Sequence, residues 1–198
     1  TAALSDDGGD GDFCGDSVSG LTEIFWNEQA ALPLLFWLQA LPLIGAAVVY
    51  ALKERASAVL LGKVFALAEL GLAIVVVSHI NPLSPTLQLA ERFAPLAYHV
   101  AVDGISLIFV LSTALLTFLM TLYGMSRGMI SPGRLFAVLL LAEAGLVGML
   151  VTVDVAWFAG FSALELWAVV YLLRRWASSR AEIQALARFV QYQVFGWA

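Results

Sequence analysis

The segment GISLIFVLSTALLTFLMTLY, residues 104–123, decides the fold class of this chain, because none of its residues is charged. An α-helix rises about 1.5 Å per residue, so this segment is long enough to cross a hydrocarbon core of about 30 Å. Asp103 directly precedes it and is predicted to be its helix cap, since a carboxylate at that position accepts hydrogen bonds from the free amides of the first turn. The segment therefore predicts a transmembrane helix that begins just after Asp103.

Further apolar runs place the same kind of helix on both sides of this segment. They lie at about residues 31–52, 58–80, 135–152 and 155–173, and a shorter run at 185–198 begins a partial sixth helix. Hydrophobic residues make up 61% of the chain and charged residues 13%, roughly half the charged share of a soluble domain. The sequence therefore predicts an all-α membrane protein, a bundle of five transmembrane helices plus a partial sixth, over residues 23–198. Residues 86–102 have mixed polarity and could form a short interfacial helix.

Residues 1–22 are predicted to be a disordered acidic tail, because they are rich in Gly, Asp and Ser and have little apolar surface to bury. The tail lacks the closing glutamate of a calcium-binding loop. The single cysteine, Cys14, excludes an internal disulfide and a cysteine-based metal site. Since no basic patch suggests nucleic acid and no metal or cofactor motif is present, we expect the lipid bilayer and other integral membrane subunits as partners.

The basic residues predict the orientation of the chain in the membrane. If the acidic tail lies outside, nine of the ten Lys and Arg residues fall on the cytoplasmic side, and only Arg92 falls outside. Cytoplasmic loops normally carry the excess of basic residues, so this pattern supports five crossings. We therefore expect an integral protein of a bacterial inner membrane with its N-terminus in the periplasm.

Three glutamates lie inside the apolar runs at a similar depth: Glu69, Glu143 and Glu165. Glu143 and Glu165 each lie nine residues from a cytoplasmic arginine, about 13 Å along a helix. Glu69 lies ten residues from His79 at the outer border, about 15 Å. Carboxyl groups inside a bilayer are costly and often functional, so the three are candidates for a proton relay. The alternative is structural: each glutamate is neutral, or hydrogen-bonded to a neighbouring helix or partner subunit.

The second half of the chain contains motifs of a known family. The string YHVAVDGISL at 98–107, followed by LSTALLT at 111–117, resembles the opening of the third helix in antiporter-like subunits of respiratory complex I. The same family includes Mrp-type cation antiporters and membrane hydrogenases. LLAEAGLVGM at 140–149, followed by Asp154, resembles the family's fourth helix, and RFVQY at 188–192 resembles the start of its sixth. The chain is thus similar to the N-terminal portion of such a subunit, in a truncated or divergent form.

The resemblance implies a proton-conducting role, in which a Glu on helix five pairs with a Lys on helix seven. The family Glu follows the Asp by nine residues, which is Ala163 here, whereas Glu165 lies two positions later, about 200° around a helix. Arg188 occupies the position of a sixth-helix Lys and does not readily release a proton. The segment that carries the helix-seven Lys is not in this sequence. These departures favour an altered role over the family's own.

Two functions stay open. The first, favoured by those departures, is a structural or accessory transmembrane subunit of a larger bioenergetic complex, respiratory or photosynthetic, derived from this family. The alternative is the N-terminal part of a functional proton- or cation-translocating subunit. No nucleophile–base arrangement or phosphate-binding loop is present, so we predict no enzymatic activity and no catalytic residue. Small residues suited to close helix contacts with partner subunits are Gly45, Ala46, Ala47, Gly145 and Gly148.

Overall fold

The computed structural model describes residues 33–52, 56–81, 87–93, 98–126, 132–176 and 180–197, so the predicted acidic tail lies outside the described residues. In chain order the elements are α1 (Leu34–Leu52), α2 (Ala56–Ser78), β1 (Gln88–Phe93), β2 (Tyr98–Val102), α3 (Gly104–Ser126), α4 (Pro132–Val151), α5 (Val155–Trp176) and α6 (Arg180–Trp197). Helices α1 to α5 are long and apolar enough to cross a membrane. The predicted helical membrane bundle with five spans is therefore confirmed, and the partial sixth run forms α6.

Helix α4 is the centre of the bundle. Helices α1, α2, α3 and α5 all pack against it, and 61% of its span is buried, compared with 6% of the α5 span. Two glycines let α5 approach closely: a Cβ added at Gly145 would meet the Glu165 backbone at 2.9 Å, and one at Gly148 would collide with the Phe161 ring. Gly45 of α1 packs in the same way against an aromatic ring of α2. These three glycines therefore serve close helix contacts within the chain, and their predicted role in contacts with partner subunits stays a prediction.

A two-stranded antiparallel hairpin, β1–β2, packs against one end of the bundle. This end lies outside in the predicted orientation, and it is therefore called the outer end. Arg92 pairs with His99, and a bulge interrupts the register between Gln88 and Glu91. The expectation of an interfacial helix at residues 86–102 is therefore wrong. The segment Tyr98–Val102 alternates valine with other residues, a composition that suits a pleated strand better than a helix.

The hairpin is tied to the helices that flank it in sequence. The amide of Val153, just after α4, donates a hydrogen bond of 3.1 Å to the carbonyl of His99. At the start of α3, the Asp103 Oδ1 accepts a hydrogen bond of 2.7 Å from the Ser106 amide. Hydrogen bonds from the Ser106 side chain and amide hold the pKa of Asp103 below its usual value. Asp103 therefore lies where a cap stabilises the first turn of α3.

A buried carboxyl pair as candidate functional site

Helices α2 and α4 run in the same direction across the bundle and pack along a shared seam. A Cβ added at Gly62 of α2 would meet the Phe136 ring of α4 at 2.9 Å, which places these two residues side by side. Glu69 and Glu143 each follow by seven residues, about two helical turns or 10.5 Å. Because the two helices are parallel, seven residues along each helix lead to the same level. The two glutamates therefore lie opposite each other on the facing sides of α2 and α4.

The apolar core is interrupted at the level of these two glutamates. An outer cluster joins the hairpin to the outer ends of α1, α2, α3 and α4, and an inner cluster joins the inner ends of α1, α2 and α4. The residues that flank the glutamates along the seam are Ala66 and Leu140 in the inner cluster and Ala73 and Val147 in the outer one. Glu69 and Glu143 therefore form a polar layer between two apolar halves of the core.

Both carboxyl groups of this layer are enclosed by protein. Glu69 is 0% exposed and Glu143 is 1% exposed, and all four of their oxygens lack a hydrogen-bond partner among the described residues. Thr117 of α3 is buried next to Glu143, but its hydroxyl does not reach the carboxyl group in hydrogen-bonding geometry. The two carboxyl groups are close enough to interact electrostatically. Because buried polar groups normally have partners, this unpaired set is the strongest candidate functional site in the described part of the chain.

Glu165 lies on a different side of α4. Its Cβ packs against Gly145, which is two residues, or about 200°, around α4 from Glu143. Glu165 is half-buried, whereas Ala163, the position that the family pattern assigns to the helix-five Glu, is exposed. The structure thus brings Glu69 and Glu143 together, directs Glu165 rather than Ala163 toward α4, and separates Glu165 from the other two.

A second polar contact, at the outer end of α1, was missed by sequence reasoning. The two carboxyl oxygens of Glu91 in β1 accept hydrogen bonds from the amides of Leu35, at 2.9 Å, and Phe36, at 3.0 Å. Glu91 is 8% exposed, and its burial raises its pKa while the amide hydrogen bonds act in the opposite direction. Nearby, the buried Tyr98 hydroxyl donates a hydrogen bond to Gln39 of α1. Glu91 therefore caps a helix that begins more than fifty residues earlier in the sequence, a relation with no local signal.

The described residues offer no comparable arrangement of metal ligands. No three His, Cys, Asp or Glu side chains among them come together as a metal site requires. The chemistry available at the Glu69–Glu143 layer is therefore that of two carboxyl groups, which bind and release protons.

Comparison with known proteins finds similarity to subunits of two membrane complexes. The chain is 28% identical over 153 residues to F(420)H(2) dehydrogenase subunit M of Methanosarcina mazei, which covers 75% of this chain and 31% of that subunit. Its fold matches a chain of the membrane-bound sulfane sulfur reductase, an archaeal respiratory membrane complex, with a TM-score of 0.66 and 20% identity. That match covers 80% of this chain and 34% of the other. The chain thus spans about a third of the length of each, and no family model matches it.

Proposed function

We propose that this chain is a transmembrane subunit of a larger bioenergetic complex and that its role there is structural. The observation that carries the proposal is the uncovered side of α5. Only 6% of the α5 span is buried, and Glu165, midway along the helix, stays partly exposed although its Cβ contacts α4. Acidic side chains inside a membrane normally face protein or water rather than lipid. A neighbouring membrane subunit on this side would provide that cover.

Two further features support a protein neighbour beside α5. Trp167 and Tyr171 stack with ring centroids 5.6 Å apart. Together with Tyr50 and small residues of α1 and α4 they line an apolar groove of about 340 Å³. The similarity to subunits of respiratory membrane complexes agrees with a site in such an assembly. We propose a cytoplasmic membrane as its location, with the N-terminus outside, and no catalytic role of its own.

A second candidate function is the N-terminal part of a proton- or cation-translocating subunit. The contact between Glu165 and Gly145 favours it, because this places a glutamate of helix five, through its Cβ, against helix four. The exposed Arg188 of α6 stands against it, since an arginine does not relay protons readily. The structural role is therefore preferred for the residues described.

The test is extraction of the full chain in mild detergent, followed by native gel electrophoresis and mass spectrometry. We expect the chain to migrate with at least one other integral membrane subunit. A monodisperse monomer of 21.3 kDa without a co-migrating subunit would contradict the proposal. Proton uptake by proteoliposomes that contain this chain alone would instead support the second candidate.

A further inference from the structure

The surroundings of Glu69 and Glu143 restrict the charge that the two side chains can carry. Both are enclosed by protein, come from different helices and have no hydrogen-bond partner among the described residues. Two carboxylates there would lose their hydration and would also repel each other. The two carboxyl groups are therefore stable there only if a cation offsets their charge, and a proton is the smallest cation that an enclosed site can hold.

Among the described residues, the helices packed around the layer place no cation beside it that could replace that proton. On α3 the neighbouring Thr117 is uncharged. On α2, Lys63 lies six residues from Glu69, about 240° around the helix. On α5, Glu165 is acidic and packs on another side of α4. Residues 34–49 of α1 contain no titratable side chain.

We propose that Glu69 and Glu143 form one proton-binding site, in which the O–H of one carboxyl group donates a hydrogen bond to an oxygen of the other. The arrangement gives partners to oxygens that otherwise have none among the described residues. Acids that interact strongly gain and lose protons as a pair rather than separately. The proposal goes beyond membership of a complex, because it concerns the core of this chain alone.

The site has a structural consequence for the seam between α2 and α4. The layer separates the outer and inner apolar clusters, so one shared proton reduces the negative charge between the clusters from two to one. Loss of the shared proton leaves two carboxylates between the clusters, and the low-dielectric surroundings oppose this second charge. The protonation state is thus coupled to the packing of the two helices.

Infrared spectroscopy of the full chain in lipid, at neutral pH, tests the proposal through the C=O band of protonated carboxyl groups. We would compare E69Q, E143Q and the double variant E69Q/E143Q with the unchanged protein. Each single variant is expected to remove the C=O band of the shared-proton pair and to leave one band, at a different frequency, from the remaining protonated carboxyl group. The two single-variant difference spectra should therefore not add up to that of the double variant. E165Q is the matched control and should leave the band of the Glu69–Glu143 pair in place.

Additive single-variant spectra would overturn the proposal, because they would show two independent acids. Absence of any protonated-carboxyl band that depends on these residues would also overturn it. If the glutamine variants fail to fold, E69D and E143D keep both carboxyl groups while shortening one side chain. Each should then shift the band of the unaltered partner, and an unmoved partner band would refute a shared proton. The spectra report on this chain's own core, so their outcome is separate from whether a partner subunit is found.

Discussion

Replacing Glu91 by alanine removes the carboxylate that accepts the amides of Leu35 and Phe36 at the start of α1. Loss of an N-cap costs roughly 1 kcal/mol, and a hydrogen bond to a charged group contributes about 1.5–3 kcal/mol. The side chain borders a cavity of about 180 Å³, through which water can reach the freed amides. We therefore expect a loss of about 2 kcal/mol in local stability, which is more than a typical N-cap contributes and lies within the range for one hydrogen bond to a charged group.

Hydrogen–deuterium exchange in lipid nanodiscs measures this loss at the amides concerned. A change of about 2 kcal/mol corresponds to exchange that is about 30-fold faster at Leu35 and Phe36. Amides in the middle of α4 should keep their protection. Glu91→Gln retains one carbonyl acceptor and should show a smaller increase, and Arg92→Ala, which alters an exposed neighbour, should show none. Unchanged protection in Glu91→Ala would refute the argument that the hairpin caps α1.

Three further predictions follow from the fold and its proposed orientation. The native Cys14 is the reference for the outer side, and a membrane-impermeant thiol reagent should label it in intact cells. A cysteine placed at Ser126 should be labelled only after the cells are permeabilised. Labelling of position 126 in intact cells would contradict the proposed orientation. Asp103→Ala should lower stability by about 1 kcal/mol near neutral pH. Because the folded-state pKa of Asp103 is depressed, that difference should persist above about pH 4 and vanish as the pH falls through the folded-state value, as pH-dependent unfolding can show. Gly148→Val should destabilise the α4–α5 contact by about 2 kcal/mol in the same assay, whereas Gly71→Val, at a position with open space around it, should not.

The span count was accessible from sequence because the membrane imposes a length and a polarity that a single segment reveals. The depth of the intramembrane glutamates followed from helical rise alone. Which of them meet did not, because Glu69 and Glu143 belong to helices that are not adjacent in sequence. Their pairing depends on the packing of α2 on α4 at Gly62 and Phe136. Sequence spacing places Glu143 and Glu165 at one depth, but it does not show that α4 separates them.

The hairpin shows a second limit of sequence analysis. Residues 86–102 carry charges and aromatic residues without a helical or strand period strong enough to distinguish the two. Their structure depends on contacts with distant parts of the chain, such as the hydrogen bond between Val153 and His99. The cap that Glu91 provides to α1 is non-local in the same way, since its partners lie more than fifty residues away.

The central position of α4 has a consequence for the order in which the protein is made. A ribosome releases α1, α2 and α3 before the helix around which all three pack exists. Until α4 is inserted, the surfaces of α1, α2 and α3 that it will cover therefore remain in contact with lipid. The strongly apolar composition of these helices suits such exposure to lipid, and Glu69, on the side of α2 that faces α4, is an exception. Helix α5, which emerges after α4 is available, is the least apolar of the five spans. The bundle can therefore assemble only once α4 has been made, and α1, α2 and α3 have to remain stable in the membrane before that.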